Sequence, residues 1–286
     1  MTLQKAVLAT IIYHDIFNYP LRNKEVFKYL IENKSKYESV ENTLRILINK
    51  NLISSKANYI HLKNKSNIEK LRAKREKYSK QKLKKAQLYA KILHLLPTIK
   101  CVCVTGALAM NNCTEYDDID ILIICQKKTL WTTRLISNIL LFPFKRTPMS
   151  KNINNKACLN IFIDESELLI KTKNIYTAHE ICQTKVLWDN NSYIKFIKKN
   201  DWIREYLPNW QQERQQATGN KQQAHAHLLL VSYCLSLIET LAKWAQLTYM
   251  KSKVTTESIG DTQLFFHPKD TQNKILKKYY QKIANI

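Results

Sequence analysis

The sequence predicts an α+β fold in which a small mixed β-sheet lies between an N-terminal helical module and C-terminal helices. Two runs rich in valine and isoleucine, residues 99–104 and 119–125, are typical of buried strands. Apolar residues recur at helical spacing through most of the remaining chain. Only three glycines occur in 286 residues, well below the usual fraction of roughly 7%, which favours helices over glycine turns.

Residues 1–62 are predicted to form a compact unit of three helices and a hairpin. The predicted elements are helices over 3–17, 24–32 and 40–50 and short strands over 52–54 and 59–62. Pro20 ends the first helix, and Asn23 is placed to cap the second. Three helices followed by a hairpin is the plan of a winged helix, so this unit is expected to be winged-helix-like.

The third helix of a winged helix reads a groove of nucleic acid. Asn42, Arg45 and Asn49 occur at positions i, i+3 and i+7 and are expected to share its exposed face. They are therefore candidates for contact with DNA or RNA. Winged helices also serve as protein-contact modules or scaffolding, and the sequence leaves these alternatives open.

Residues 63–97 are expected to form a basic connecting helix. Residues 63–91 hold twelve Lys and Arg against only Glu69 and Glu76, with no proline or glycine until Pro97. Such a stripe is either a solvated helix face or a phosphate-tracking surface whose binding weakens steeply with salt. The net charge of +23 favours polyanionic partners, but a genome that prefers AAA and AAT codons would produce the same excess of lysine.

Residues 98–170 are predicted to hold the sheet and the chemistry. Gly106 follows the first strand directly, where it allows a sharp turn and the close approach of a ligand, and the next helix would offer free amides to phosphate. Asp118 and Asp120 open the next strand and, being two apart, should point to the same face. A hard divalent cation would relieve the repulsion between two adjacent carboxylates. This combination indicates phosphoryl-transfer chemistry.

The same residues resemble the signature of the DNA polymerase β-like nucleotidyltransferase superfamily. That signature is an apolar residue with Gly-Ser or Gly-Gly, a short gap, and then Asp-x-Asp or Asp-x-Glu in a strand. Here Val104–Ala107 is followed, after ten residues, by Asp118–Ile121. The chain is also similar to uncharacterised bacterial nucleotidyltransferase-domain proteins that begin with a winged helix, over Leu159–Glu165 and Tyr176–Glu180. The sheet region is therefore expected to be a nucleotidyltransferase core.

The resemblance implies a role for each residue of the signature. Asp118 and Asp120 would be the catalytic carboxylates and would ligate Mg²⁺ (or Mn²⁺) bridging the triphosphate of an NTP. Thr105, Gly106 and Ala107 would bind the nucleotide phosphates. A nucleoside monophosphate would pass to an unknown acceptor as pyrophosphate leaves. Ala107 stands where the family commonly has serine, a loss of one hydrogen bond worth ~1–3 kcal/mol.

A second departure concerns the proton acceptor. The family's third carboxylate lies on a later strand, predicted here over 157–163, and the matching residue is Asn160. Asn160 could ligate the metal through its carbonyl oxygen but could not accept a proton. Asp164 has the same expected facing but lies about 13 Å further along the strand, too far to replace the base directly, so Asp117 or Asp164 could serve only after a rearrangement. Absence of a base costs ~10²–10⁴ in rate, so the alternative is a catalytically inactive nucleotidyltransferase-fold protein that binds nucleic acid through the winged helix and basic helix.

Residues 171–286 are predicted to be a helical C-terminal region, with helices over 175–200, 222–250 and 271–284. The most apolar run, residues 228–238, is about half the ~20 residues needed to cross a bilayer. The N-terminus lacks the pattern of a signal peptide, and the seven scattered cysteines are typical of free thiols in a reducing compartment. We therefore expect a cytoplasmic protein with no membrane contact.

Overall fold

The structure is a computed structural model that describes residues 1–63, 65–146, 153–212, 228–251, 257–266 and 269–284. Within these residues the chain is α+β, as predicted, with a six-stranded mixed sheet, a separate hairpin and eleven helices. The helices are α1 (Leu3–Asp15), α2 (Asn23–Lys28), α3 (Tyr37–Asn49), α4 (Ile68–Leu93), α5 (Gly106–Ala109), α6 (Leu130–Leu140), α7 (Ile175–Gln183), α8 (Ser192–Lys199), α9 (Ile203–Tyr206), α10 (Leu228–Met250) and α11 (Lys269–Ile283). The strands are β1 (Ile53–Lys56), β2 (Tyr59–Leu62), β3 (Ile99–Val104), β4 (Ile119–Cys125), β5 (Ala157–Asp164), β6 (Lys185–Asp189), β7 (Ser258–Ile259) and β8 (Gln263–Phe265).

The large sheet has the strand order β6-β3-β4-β5-β8-β7, in which only β4 and β5 run parallel. Its three central strands, β3, β4 and β5, are those predicted from the sequence. The other three fall within residues 171–286, which were predicted to be helical, so that prediction is wrong for these segments. The predicted helix over 175–200 is in fact α7, then β6 paired with β3, then α8. Strands of two to five residues are too short for their alternation to stand out from the helical pattern around them.

The sheet is packed between helices on both faces. Along β3, Cys101 and Cys103 point into a core with residues of α1, α7, α8 and α9, and we call this side the front face. Val102 and Val104 point into a second core with α4, α6 and α10, the back face. Leu122 and Ile124 of β4 share the front face. Asp120 therefore also opens toward the front, because strand residues two apart point the same way.

The N-terminal helices α1, α2 and α3 and the β1–β2 hairpin enclose a core of their own. Helix α1 is buried almost throughout, because Ile12 and Tyr13 also enter the front core of the large sheet. On α3, the predicted exposed face is confirmed: Asn42, Arg45 and Asn49 are all exposed. The N-terminal unit is thus joined to the sheet through α1, while α3 remains open to solvent.

The basic connecting helix, predicted over 63–97, is α4. One face of α4 is open to solvent and carries seven exposed lysines: 70, 74, 77, 80, 84, 85 and 91. The opposite face buries Arg72, whose guanidinium lies 3.6 Å from the centre of the Tyr19 ring and pairs with Glu25 and Glu76 at 2.9 Å. Part of the basic stripe therefore joins α4 to the N-terminal unit.

No helix within the described ranges combines the length and the apolar character needed to cross a membrane. Helix α10 contains the most apolar run of the sequence, and the first residues of its predicted range, 222–227, lie outside the described residues. Free thiols occur at six cysteines, of which five are buried (101, 103, 113, 125 and 182) and one, Cys158, is partly buried.

Candidate metal and phosphate site

The candidate site begins at the bend between β3 and α5. Gly106 has φ +59°, a left-handed conformation that favours glycine. A Cβ at this position would lie 2.9 Å from Oδ2 of Asp120, closer than real Cβ atoms approach. Glycine is therefore required both by the turn and by the carboxylate packed against it, and the predicted proximity of the bend to Asp120 is confirmed.

The predicted phosphate-binding residues lie at this bend. The Thr105 amide donates to the backbone oxygen of Asp120 at 3.1 Å, which fixes the bend to β4. The amides of Gly106 and Ala107 have no hydrogen-bond partner within the described part of the chain, as expected for the first residues of a helix. Ala107 is exposed, and the buried Thr105 hydroxyl has no partner among the described residues.

Two of the three predicted metal ligands, Asp118 and Asp120, lie side by side. One carboxylate oxygen each from Asp118 and Asp120 and the Cys158 sulfur are within 4.8 Å of one another. Among the described residues this is the one cluster of three or more metal-ligating side chains. Oδ2 of Asp118 also accepts a hydrogen bond from the half-exposed Arg146 guanidinium at 2.9 Å. Asp118 lies just before β4, which begins at Ile119, and its carboxylate is nevertheless close to that of Asp120.

The pKa of Asp120 is raised to about 7, first because the carboxyl is buried and second because the Asp118 charge is close. Arg146 and the hydrogen bond from Asn160 act in the opposite direction. A divalent cation between the carboxylates would favour the ionised form of Asp120. The oxygen donors of Asp118 and Asp120 therefore fit Mg²⁺ or Mn²⁺.

Asn160 reaches the site through a β-bulge. Strands β4 and β5 pair Ile121 with Leu159 but Leu122 with Ile161, which leaves Asn160 as the extra residue. Its amide nitrogen donates to Oδ1 of Asp120, and its oxygen accepts from the Cys158 thiol at 2.9 Å.

The hydrogen bonds of Asn160 determine what it can do at a metal. Its oxygen faces Cys158 and its nitrogen faces Asp120, so the predicted ligation through oxygen requires the amide to rotate by half a turn. Burial, together with the charges of Asp120 and Asp118, raises the pKa of the Cys158 thiol. Cys158 is thus a neutral hydrogen-bond donor here, and the two aspartates supply the oxygen ligands.

Neither substitute for the missing base lies in position. The sequence placed Asp164 on the same face as Asn160, but the bulge reverses the alternation, and Asp164 accepts hydrogen bonds from the Lys128 and Ser166 amides at 2.7 Å. Asp117 accepts from the amide and hydroxyl of Thr114 at 2.7 and 2.6 Å. Both carboxylates are engaged in turns. The prediction that Asp164 faces the same side as Asn160 is wrong.

Sequence reasoning missed three residues that shape the site: Cys158, Arg146 and Lys82. Cys158 lies two residues before Asn160, so strand alternation could have identified it. Arg146 lies outside any predicted element, and no local signal points to it. The Lys82 ammonium, buried on α4, donates to the backbone oxygens of Glu115 and Asp117 at 2.9 and 2.6 Å. It holds the loop that leads into the aspartates.

Two pockets open beside α7. The bend pocket, about 230 Å³, is lined by Gly106 and Ala107 and by residues of α1, α7 and α11. The edge pocket, about 270 Å³, is lined by Ile161 of β5 and by residues of α7 and the β7–β8 region. Tyr176 and Glu180 of α7 line both pockets. Burial raises the pKa of the Tyr176 hydroxyl, and the charges of Glu180 and, to a smaller extent, Asp120 act in the same direction.

Comparison with protein-family models, curated proteins and solved structures finds no match to this chain. The geometry and chemistry of the site therefore carry the functional argument.

Proposed function

We propose that this protein is a Mg²⁺- or Mn²⁺-dependent nucleotidyltransferase that moves a nucleoside monophosphate from an NTP to an acceptor hydroxyl. The supporting observation is the contact of the glycine bend with paired carboxylates: a Cβ at Gly106 would lie 2.9 Å from Asp120, whose carboxylate is grouped with that of Asp118. A phosphate-binding site beside a divalent-cation site is the arrangement that phosphoryl transfer from a triphosphate requires.

Each residue has a role in this mechanism. The amides of Gly106 and Ala107 hold the outer phosphates, and Asp118 and Asp120 hold the cation. When bound, the cation neutralises the charge that develops on the leaving pyrophosphate. Arg146, which pairs with Asp118, lies close enough to the carboxylates to share the phosphate charge.

In the transfer step the acceptor oxygen bonds to the α-phosphorus, the bond from that phosphorus to its bridging oxygen breaks, and pyrophosphate leaves with the electron pair. Asn160 cannot take the hydroxyl proton, and Asp117 and Asp164 are bonded elsewhere. The proton therefore passes to water. A reaction without a positioned base should be slower by ~10²–10⁴ than one with a third carboxylate.

The test is label transfer from each of the four NTPs with Mg²⁺ or Mn²⁺, alone and with RNA, DNA or protein as acceptor. Transfer should fall at least a hundredfold in the double variant Asp118→Ala plus Asp120→Ala. It should persist in Asp201→Ala, which removes an exposed aspartate on the surface. Absence of transfer under every condition, or equal transfer by the double variant, would rule the enzyme out.

A second candidate function is supported by Asn160 and by the solvent-exposed basic face. In this alternative the chain is a catalytically inactive nucleotidyltransferase-fold protein. It binds nucleic acid through Asn42, Arg45 and Asn49 of a winged-helix-like N-terminal unit and through the exposed lysines of α4. Binding that is unchanged in the Asp118→Ala plus Asp120→Ala variant, with no transfer of label, would favour this function.

A further inference from the structure

Helix α10 presents an exposed face that carries no charge. Over residues 238–249 the only charged side chains are Glu239 and Lys243, which are half-buried. Glu239 accepts hydrogen bonds from the amides of Trp131 and Thr132 at 2.7 and 2.8 Å, and Lys243 pairs with Asp261 at 2.7 Å. Every exposed position of this stretch is uncharged: Ile238, Thr240, Leu241, Trp244, Ala245, Thr248 and Tyr249. The exposed face of α4, by contrast, carries seven lysines, so α10 lacks the side chains that keep that helix solvated.

Helix α6 extends this uncharged surface, because it lies beside α10 and runs in the same direction. Glu239 contacts the first turn of α6, and Gln246, two turns later on α10, accepts a hydrogen bond from Arg134 in the next turn of α6. A further turn along both helices brings Tyr249 level with Asn138. The shallow groove beside Asn138 is lined by two exposed apolar side chains, Ile139 and Phe142. The exposed apolar side chains of the two helices therefore form one surface that faces away from the sheet.

The apolar area of this surface is large enough for a protein interface. Six large side chains contribute to it, each between 48% and 68% exposed: Ile139, Phe142, Ile238, Leu241, Trp244 and Tyr249. We call these six the back patch, since α6 and α10 cover the back face of the sheet. Because a side chain of this size offers roughly 200 Å² when fully exposed, the back patch exposes roughly 750 Å². The largest apolar patch of a typical monomer is about 300–600 Å², whereas each partner of a stable complex buries about 800 Å².

We infer that the back patch is the interface of a homodimer, in which the back patch of a second copy packs against it about a two-fold axis. Each copy carries a charge of +23, so two copies associate most readily through a surface without like charges. A two-fold interface uses the same face of both copies, and the uncharged back patch meets that condition on both sides at once. The inference is independent of the proposed function, because Asp120 opens toward the front face of the sheet.

The test is sedimentation equilibrium of the full chain at concentrations from about 1 to about 100 µM, in which the wild type should form a dimer. Leu241→Glu and Trp244→Glu should each weaken association at least a hundredfold. Each substitution places an unpaired carboxylate from both copies in the apolar contact, where its desolvation is costly. Leu241 and Trp244 are 65% and 68% exposed in the single chain, so neither change removes packing from the folded monomer.

Tryptophan fluorescence gives a second readout of the same contact. Trp244 is exposed, whereas Trp131, Trp202 and Trp210 are buried. Emission should therefore shift to shorter wavelength as the protein concentration rises, because dimerisation removes Trp244 from water. Leu241→Glu keeps Trp244 and should abolish the shift over the same concentrations.

Matched controls place the same charge on exposed apolar positions outside the back patch. Ile194→Glu changes α8, and Leu52→Glu changes the residue before β1; these side chains are 47% and 49% exposed. Both control variants should dimerise as the wild type does. Melting temperatures establish that all four variants are folded.

Three outcomes would overturn the inference. The first is a wild type that stays monomeric up to about 100 µM. The second is a dimer that Leu241→Glu and Trp244→Glu leave intact, since the contact would then lie elsewhere on the chain. The third is a monomer that binds phosphatidylcholine vesicles and loses that binding in both variants, which would assign the back patch to a lipid surface instead of a second copy.

Discussion

The burial of Asp120 beside Asp118 determines what the site can bind. Asn160 and Arg146 each donate a hydrogen bond to one of the two carboxylates, yet the pKa of Asp120 remains raised because desolvation outweighs both. Without a cation the ionised pair is a source of instability. With a divalent cation the same burial strengthens the attraction, since charges interact more strongly where water is excluded.

Replacement of Asp120 by Asn should therefore stabilise the metal-free protein at high pH. The folded pKa of about 7 lies above the ordinary value, so the stability that comes from protonating Asp120 is present below about pH 4 and is lost as pH rises through 7. Relative to the variant, the wild type should lose about 1–3 kcal/mol of unfolding free energy between pH 5 and pH 8. Thermal unfolding at both pH values measures this difference.

The control is Asp201→Asn at an exposed site, which should unfold like the wild type at both pH values. Mg²⁺ or Mn²⁺ added at pH 8 should raise the melting temperature of the wild type but not of Asp120→Asn. A variant whose stability relative to wild type is the same at pH 5 and pH 8 would contradict the assigned role of Asp120.

Gly106→Ala should damage both fold and site. The alanine would have to adopt φ +59° and place its Cβ 2.9 Å from Asp120, at a cost of about 1–3 kcal/mol, and the carboxylate would be displaced from its partner. Gly260→Ala is the matched control, because its Cβ would meet Gln263 less closely, at 3.2 Å. We expect cation-induced stabilisation to be lost in the first variant only, and equal losses in both would count against the site.

Asn160→Asp should restore a third carboxylate. The bulge already directs this side chain to Asp120, so the substitution adds a base without moving the backbone. If the chain is an enzyme, the rate of label transfer with saturating cation should rise by ~10²–10⁴. Without cation the variant should be less stable than the wild type, because three carboxylates then lie together. A rate that stays the same would show that proton acceptance does not limit transfer.

At the scale of elements, α4 has two separate functions on its two faces. The buried face carries Arg72, which holds the N-terminal unit, and Lys82, which holds the loop before Asp118. The exposed face carries lysines that form no ion pair among the described residues. The ion pairs of this helix are made instead by Glu69 with Lys56 and by Glu76 with Arg22 and Arg72. A single basic stripe in the sequence is thus divided by the helical period into structural and solvent-exposed cations.

Lys82→Met should uncouple that loop from α4. Two backbone oxygens, of Glu115 and Asp117, would lose a charged donor, which should destabilise the protein by about 2–4 kcal/mol. Lys80→Met, two residues earlier on the exposed face, should change stability by less than about 0.5 kcal/mol. Denaturant unfolding compares the two. Similar losses of stability would show that the Lys82 contacts are not needed.

At the scale of the whole molecule, the charge of +23 concerns association rather than folding. The structure places lysines on the open face of α4 and leaves the predicted groove-reading residues of α3 exposed. These are the surfaces on which the proposed nucleic-acid alternative would place its contacts. The proposed transferase would instead use the site on the front face, so the two proposals can be tested independently.

If nucleic acid binds along α4, removal of two lysines should lower the salt dependence of binding. Lys74→Gln plus Lys77→Gln should reduce the slope of log affinity against log salt by about 2 on duplex DNA. Lys198→Gln plus Lys199→Gln removes the same charge from α8, where both lysines are also exposed. Its slope should stay near that of the wild type. Equal slopes for the two double variants would show that α4 is not the contact surface.

The sequence by itself determined the local parts of the site. A glycine after an apolar strand and two aspartates at i and i+2 define a bend and a shared face through nearest-neighbour geometry alone, and the exposed face of α3 follows from helical periodicity in the same way. These predictions agree with the structure. The identity of the chemistry remains a proposal.

Only the tertiary structure decided the parts that depend on pairing between distant segments. The bulge at Asn160 arises from the register of β4 against β5, and it reverses the side to which Asp164 points. The contacts of Arg146 and Lys82 join residues 28 and 35 positions apart in the chain, and β6 is a strand because it pairs with β3. Local patterns fix the direction of a side chain within its own element, whereas its neighbours are set by how the elements pack.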